Sequence, residues 1–304
     1  MLTVKGVTMD NISIISVFEK YLRTEKGAAE NTVASYMRDI KALSTFLADE
    51  YNSNIFDADD KMLNGFIDHL KEQGKSNATV SRSIASIKSV YNYLLANKLT
   101  AKDPSLNIAT VKVDHKAPEI LTNEEVELIL AQPNGNDDKS IRDKAMLELL
   151  YATGMRVSEL IGLNINDVNL DTKLVRCKTG NKERYIPMYA KAINSVKKYL
   201  YDVRPFIVYN NEDPALFVNM SGERMTRQGF WKIMKYYQKK ANIDKDITPH
   251  TIRHSFAANL LENGADIYAV QEMMGHADIV STQVYSNLIK KNVKDVYNSA
   301  HPRA

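Results

Sequence analysis

The stretch TPHTIRHSF, residues 248–256, sets the fold of the last quarter of the chain. Thr248 is a good N-cap and Pro249 suits the first helical turn, so a helix is predicted to begin here. His250 and Arg253 are three residues apart on this helix and project from neighbouring positions on its surface. Both side chains can therefore reach the same bound group.

Two more candidate groups follow in the strings MMGHAD and STQVYSNL. The pattern predicts a helix over 267–274 that ends at Gly275, a residue suited to the left-handed cap position. His276 comes directly after this cap, where a turning chain can direct its side chain sideways. Tyr285 is expected in the first turn of a third helix, behind a serine or threonine cap.

A further arginine lies in ATGMRVSEL, residues 152–160. Arg156 follows a Thr-Gly break between two helical runs. Glu159, three residues later, is interpreted as an orienting partner of this region rather than as a nucleophile.

Together these residues fit the cleavage of a phosphodiester by a tyrosine, without a metal ion. The phosphodiester is negatively charged and repels a phenolate, and more charge spreads over its non-bridging oxygens in the transition state. Arginine offers those oxygens a planar fork of donors, and histidine donates or relays a proton near neutral pH. Tyrosine has an ordinary pKa of about 10 and needs fixed positive charge nearby to attack well. The combination, in this order, is far more informative than a single member.

The same strings resemble the signature of the tyrosine site-specific recombinases of the phage integrase family, and of their Xer branch in particular. GNKER at 180–184 and the terminal HPRA at 301–304 add to the resemblance, and AAENTVASYMRDIKALSTFL at 28–47 resembles the first DNA-clasping helices of that family. The resemblance implies a DNA strand cleavage and ligation enzyme with Tyr285 as the nucleophile. It implies no cofactor, no metal and no ATP. The catalytic groups it implies are Arg156, His250, Arg253, His276 and Tyr285.

One position departs from the family pattern. Xer proteins show GKGNKER, with a catalytic lysine directly before the Gly-Asn turn, whereas this chain has KTGNKER and places Thr179 there. Lys178 can serve if the hairpin is one residue shorter or changes its register, and Lys182, past the turn, is the other candidate. Lys178 is favoured as the general acid for the departing 5′ oxygen.

Three functions follow from the resemblance. The leading one is site-specific recombination through a 3′-phosphotyrosyl intermediate, of the Xer type that resolves chromosome dimers at cell division. The alternatives are a mobile-element integrase with the same chemistry and a catalytically silent DNA-binding relative. The implied partners are double-stranded DNA with paired binding arms and a synaptic tetramer formed with itself or a related Xer recombinase, with a DNA translocase as a further candidate.

Other catalytic classes fit the sequence less well. His250 and His254 are four residues apart, but Thr251 stands where a zinc hydrolase needs its glutamate, so no metal site is expected. A type IB topoisomerase shares the tyrosine chemistry but requires a larger clamp. The GNK turn lacks the rest of a phosphate-binding loop.

The expected fold is mainly α. A helical, SAM-like core DNA-binding domain is predicted over 10–99, a linker with Pro104 and Pro118 over 100–118, and a mostly helical catalytic domain with a small β-hairpin over 119–304. The chain has 304 residues and one cysteine, and its N-terminus lacks the pattern of a signal peptide, so a cytoplasmic location without membrane contact is expected.

Bulk charge contributes little to the predicted DNA binding. The formal net charge is only +3, so lysine and arginine must be placed locally. Along the predicted helix 77–95, apolar residues form one stripe, while Arg82, Ser86 and Ser89 are expected on the opposite face with Lys88 near the boundary. Arg82 and Lys88 are the candidate contacts to the DNA backbone.

Overall fold

The structure, a computed structural model, describes residues 3–4, 7–8, 11–112, 119–180, 182–208 and 213–275. The chain divides into two compact units, Met1–Lys116 and Ala117–Ala304. His276, Tyr285 and the helix predicted around Tyr285 lie outside the described residues.

The N-terminal unit is helical. Its elements are the antiparallel strands β1 (Thr3–Val4) and β2 (Val7–Thr8) and the helices α1 (Asn11–Thr24), α2 (Glu30–Tyr51), α3 (Asp60–Glu72) and α4 (Asn77–Ala96). Polar side chains cap two helix starts. Asp59 accepts a hydrogen bond from the Met62 N–H before α3, and Ser76 accepts one from the Thr79 N–H before α4.

The predicted apolar stripe of α4 forms part of the core of this unit. Its buried members are Val80, Ile84, Ile87, Val90, Tyr91 and Leu94. They cluster with apolar side chains of the other three helices, among them Phe18, Leu43 and Phe66. The spacing of the stripe therefore identified the core-facing side of α4.

The prediction for the opposite face of α4 was wrong at two positions. The sequence predicts Ser86 and Ser89 on an exposed polar face, whereas both are buried, Ser86 at 0% exposed. The reason is that α4 also packs against α2, and Ser86 donates a 2.8 Å hydrogen bond to the buried Asp39. These short side chains therefore serve helix packing rather than approach to a sugar-phosphate backbone.

The C-terminal unit is also mainly helical. Its helices are α5 (Asn123–Ala131), α6 (Asp138–Thr153), α7 (Val157–Gly162), α8 (Ala190–Asp202), α9 (Arg204–Ile207), α10 (Arg227–Lys240), α11 (Pro249–Glu262) and α12 (Ile267–Met274), with a short 3-10 helix at Ile165–Asp167. Thr122 forms a capping box with Glu125 at the start of α5. Thr248 caps α11, as predicted. Gly275 ends α12 in the left-handed conformation, also as predicted.

A small antiparallel sheet completes this unit. Strands β3 (Val168–Asn169), β4 (Leu174–Thr179) and β5 (Lys182–Pro187) lie side by side in that order. Their pairing places Thr179 opposite Lys182 and Cys177 opposite Arg184. The mainly helical architecture with this small sheet confirms the predicted fold class.

The core of the C-terminal unit lies between the sheet and the surrounding helices. It includes Leu147 and Leu150 of α6, Val175 of β4, Tyr199 of α8 and Phe230 of α10. No helix within the described residues combines the length and apolar character needed to cross a membrane.

Candidate active site

Arg253 lies on α11 with its side chain directed into the C-terminal unit, where only 3% of the residue is exposed. Its Nη1 donates to the carbonyl of Gly154 at 2.6 Å, and its Nη2 donates to the carbonyl of Met274 at 2.5 Å. Gly154 follows the end of α6, and Met274 is the last residue of α12. Arg253 therefore connects three helices and is held in one orientation.

Arg156 occupies the N-cap position of α7 and keeps 36% of its side chain exposed. Its Nη2 donates to the carbonyl of Gly275 at 3.3 Å. Because Met274 and Gly275 are consecutive, the guanidinium groups of Arg156 and Arg253 meet at the C-terminal end of α12. The last carbonyls of a helix carry partial negative charge, which attracts both cations.

Glu159 accepts hydrogen bonds from several donors beneath Arg156. Arg184 donates to both carboxylate oxygens at 2.9 Å, the Thr179 hydroxyl donates at 2.7 Å, and the Arg156 N–H donates at 2.7 Å. Burial acts to raise the pKa of Glu159, but these hydrogen bonds and the charge of Arg184 prevail and lower the pKa to about 2. The carboxylate is therefore ionised at neutral pH and fixes the start of α7.

His250 lies one turn before Arg253 on α11; part of its surface is exposed, and its ring is partly desolvated by the surrounding protein. Burial of its ring lowers the pKa of His250 below its ordinary value, and the charges of Arg253 and Arg156 lower it further. Its ring centroid is 6.2 Å from that of His254, whose pKa falls to about 4 through burial and the charges of His250 and Arg253. The shift therefore favours the neutral form of the His250 imidazole.

The pairing of β4 with β5 determines on which face of the hairpin each candidate lysine lies. The pairing of Thr179 with Lys182 leaves Gly180 and Asn181 between the strands, with a regular ladder up to the turn. Because directly paired residues share a face, Lys182 lies on the face of Thr179 and Arg184, and Lys178 lies on the other face. Lys178 is 51% exposed and pairs with Glu183 at 3.3 Å.

A groove of about 480 Å³ runs along β4 beside Arg156. Its lining includes Arg156 and Ser158 at the start of α7 and Arg176, Lys178 and Thr179 of the strand. Lys182 is not among its lining residues. Lys178 and Arg156 thus border the same groove, although the face of the hairpin that carries Lys182 is the one directed at Glu159.

The candidate DNA contacts of the N-terminal unit differ in their surroundings. Arg82 forms an ion pair with the buried Asp39 at 3.0 Å, and 32% of its side chain is exposed. Lys88 is half-buried. The ion pair holds the Arg82 guanidinium in place and offsets part of its charge.

No role is predicted from the sequence for Arg184, although it lies in the string GNKER. Arg184 donates to Glu159 and, through Nε, to the carbonyl of Met273 at 2.8 Å. Thus Arg184, Arg253 and Arg156 bind the consecutive carbonyls of Met273, Met274 and Gly275. A two-residue turn pairs Arg184 with the apolar Cys177 on the neighbouring strand. This pairing could have indicated from the sequence that Arg184 faces inward.

Gly154 provides a test of how tightly this site is built. It adopts φ 55° and ψ 18°, and a Cβ atom there would lie 2.2 Å from the buried ring of Phe256. We expect Gly154→Ala to destabilise the C-terminal unit by roughly 2 to 4 kcal/mol, through left-handed strain and overpacking. Urea unfolding measures this change in free energy.

Gly162→Ala is the matched control for that substitution. Gly162 is the last residue of α7, and a Cβ atom there meets nothing within 4 Å. Its stability should stay close to that of the unmodified protein. Equal effects of the two substitutions would show that the contact between Gly154 and Phe256 does not constrain the site.

Family models match both units of the chain. The model described as "Phage integrase family" matches residues 119–292, and the model "Phage integrase, N-terminal SAM-like domain" matches residues 15–98. The chain belongs to the phage integrase family.

Curated relatives define the type of recombinase. The chain is 48% identical to the tyrosine recombinase XerD of Oceanobacillus iheyensis over 293 residues, covering 95% of this chain and 98% of that protein. It is 46% identical to the XerD of Halalkalibacterium halodurans, covering 94% and 97%. Its function is therefore site-specific DNA recombination of the Xer type, in which a tyrosine recombinase cleaves and rejoins DNA. The mobile-element and silent alternatives are not favoured.

Solved structures confirm the fold. The XerH recombinase bound to palindromic difH DNA in a post-cleavage complex superposes with a TM-score of 0.73 at 22% identity, covering 93% of this chain and 83% of that chain. A λ integrase dimer bound to a core site gives a TM-score of 0.70 at 17% identity, covering 91% and 95%.

Proposed function

We propose that Tyr285 is the nucleophile of this recombinase and that Arg156, Arg253, His250 and His276 surround the phosphate it attacks. One observation carries the proposal: Arg156 and Arg253 come together at the last carbonyls of α12, directly before His276 in the chain. The two arginines belong to segments almost a hundred residues apart, so their approach is a property of the fold rather than of local sequence.

The arginines stabilise the charge that develops on the phosphate. The Arg253 guanidinium is held between two carbonyls, so it needs little reorganisation when a phosphate arrives. Arg156 is more exposed and binds Gly275 through a longer hydrogen bond. A phosphate oxygen, with a full negative charge, can compete for its donors.

The lowered pKa of His250 favours the neutral imidazole, which suits a proton acceptor. A neutral imidazole can take the proton from the attacking phenol, and a bound phosphate favours the imidazolium that results. The Tyr285 oxygen then forms a bond to phosphorus while the bond from phosphorus to the 5′ oxygen breaks. A 3′-phosphotyrosyl link and a 5′ hydroxyl result.

Rejoining reverses these steps. The 5′ hydroxyl of the partner strand attacks the phosphotyrosine, and the phenol is released. The covalent intermediate retains the energy of the broken phosphodiester, so ATP is not required.

Lys178 is proposed as the general acid that protonates the departing 5′ oxygen. It borders the same groove as Arg156. Its exposed side chain pairs with Glu183, which is also exposed, so it can reorient at low cost. The competing candidate is Lys182, which shares a face of the hairpin with Arg184.

A bridging 5′-phosphorothiolate distinguishes the two lysines. Sulfur is a much better leaving group than oxygen and needs little protonation. Lys178→Ala should therefore cleave normal DNA slowly and recover most of its rate on the phosphorothiolate, with Lys182→Ala close to the unmodified protein on both. Recovery by Lys182→Ala alone would transfer the role to Lys182, and recovery by neither would exclude both.

The domain roles are part of the same proposal. Residues 10–99 would bind the DNA core, 100–118 would link, and 119–304 would catalyse, in agreement with the positions of the two family models. Arg82 and Lys88 are proposed to contact the phosphate backbone. Arg82 would do so through the guanidinium N–H groups that are not bonded to Asp39.

We further propose that the protein acts in the cytoplasm on double-stranded DNA with paired binding arms, in a synaptic tetramer with itself or a related Xer recombinase. The likeness to XerD proteins supports a role in resolving chromosome dimers at cell division, with a DNA translocase as activator. The likeness to XerH and λ integrase complexes with DNA supports DNA as the partner.

Trapping on a nicked recombination site tests the proposed activity. Cleavage close to the nick releases a short fragment, so rejoining fails and the covalent complex accumulates. The unmodified protein should form this complex with EDTA present and ATP absent. Binding without any covalent complex would indicate a silent DNA-binding protein.

A further inference from the structure

The side chain of Arg184 is nearly buried, at 11% exposed, and donates three hydrogen bonds. Its Nη1 and Nη2 donate to the two oxygens of Glu159, each at 2.9 Å, and its Nε donates to the carbonyl of Met273 at 2.8 Å. The guanidinium therefore fastens β5 to α7 and to the C-terminal end of α12.

Both attachments lead directly to candidate catalytic groups. Glu159 accepts a 2.7 Å hydrogen bond from the N–H of Arg156. Met273 stands three residues before His276 in the chain. Arg184 is thus connected to the segment that carries Arg156 and to the end of α12 that Arg156 and Arg253 bind.

The end of α12 lies very close to the Arg184 guanidinium. A Cβ atom on Gly275 would be 3.0 Å from Arg184 Cζ, and Gly275 adopts φ 62°. A side chain at this position would push the helix end off the guanidinium. The glycine therefore permits both the left-handed end of α12 and the contact with Arg184.

The charges of the pair support a fixed arrangement. Glu159 is ionised at neutral pH because its pKa falls to about 2 against the opposing effect of burial. Although burial acts to lower the pKa of Arg184, the hydrogen bonds and charge of Glu159 raise it. The positive charge also suits the negative end of the α12 dipole.

We propose that Arg184 is a positioning residue for DNA cleavage. It holds the start of α7 and the end of α12 in fixed relation, so that Arg156 and Arg253, which bind the last carbonyls of α12, address the same phosphate. Arg184 does this without contacting the DNA. The inference rests on the catalytic roles proposed above for Arg156 and Arg253.

Arg184→Lys is the substitution that tests this role. Lysine keeps the positive charge beside Glu159, but one ammonium cannot reproduce a bidentate fork and a third hydrogen bond to the Met273 carbonyl. Because small displacements at a reacting centre are costly, we expect the single-turnover cleavage rate constant to fall by about tenfold to a hundredfold. The dissociation constant for DNA and the fraction of molecules that cleave should be unchanged.

Arg204→Lys is the matched control. Arg204 is also buried and also donates to main-chain carbonyls, those of Ala215 and Asp213, at 3.0 and 2.7 Å. Losing a hydrogen bond that only stabilises the fold lowers thermal stability and the fraction of active molecules. It does not change the rate constant of the molecules that remain folded. Arg204→Lys should behave in this way.

Glu159→Gln tests the same connection from the other side, should Arg184→Lys fold poorly. It preserves the shape of the side chain and removes its charge, and it should reduce the rate constant in the same way.

Arg156→Ala distinguishes the positioning role of Arg184 from the proposed function. If Arg156→Ala cleaves slowly while Arg184→Lys and Glu159→Gln keep the full rate constant, Arg184 has no positioning role and the proposed function stands. If Arg156→Ala cleaves at the full rate, the proposed function itself fails.

Discussion

Tyr285→Phe is expected to bind its DNA site with unchanged affinity and to form no covalent complex on a nicked substrate. Phenylalanine keeps the aromatic ring but removes the hydroxyl oxygen that would bond to phosphorus. The loss should be complete rather than partial, because water cannot produce a 3′-phosphotyrosyl link. Gel analysis under denaturing conditions measures the covalent complex, and a mobility shift under native conditions measures binding.

Tyr268→Phe is the natural control for this prediction. Tyr268 lies on α12 and is 66% exposed, and no role is proposed for its hydroxyl. It should form the covalent complex at the normal rate. A covalent complex that persists in Tyr285→Phe would disprove the assignment of the nucleophile.

Arg156→Ala and Arg253→Ala should each slow cleavage by about a hundredfold or more, since removal of one preorganised donor to a developing charge has this effect. Binding should weaken much less, because many other contacts to the DNA backbone remain. Single-turnover cleavage on saturating nicked DNA separates the two quantities.

The two variants should differ in stability. Arg253→Ala leaves the carbonyls of Gly154 and Met274 without these hydrogen bonds in a buried site, which destabilises the fold. Arg156 is partly exposed, so Arg156→Ala should remain well folded and gives the cleaner measurement. Parallel losses of binding and cleavage in Arg156→Ala would mean that this arginine only holds DNA.

Local features of the site could be predicted from the sequence. Thr248 and Gly275 bound their helices as expected, because caps depend on residues within a turn of the helix end. Helical spacing identified His250 and Arg253 as neighbours on α11. The resemblance to a family then connected residues that local rules could not bring together.

Features that depend on tertiary contacts could not be predicted in this way. Ser86 and Ser89 are polar, and periodicity placed them opposite the apolar stripe, yet both are buried, and Ser86 donates to Asp39 of α2. The role of Arg184 depends on the end of α12, 89 residues further along the chain. Neither contact leaves a pattern in the nearby sequence.

The hairpin of β4 and β5 has one feature that could be predicted from the sequence and one that could not. Strand pairing fixes the faces of Lys178 and Lys182 once the turn length is known. The position of the groove beside Arg156 depends on the packing of α7 against β4, which the sequence does not indicate.

The most direct test of the account is the identity of the residue joined to DNA. The trapped complex is digested with nuclease and protease, and the peptide that carries the residual nucleotide is sequenced by mass spectrometry. We expect the nucleotide to be attached to Tyr285 through a 3′ phosphate. Attachment to any of the other tyrosines in a chain that contains 16 of them, or through a 5′ phosphate, would contradict it.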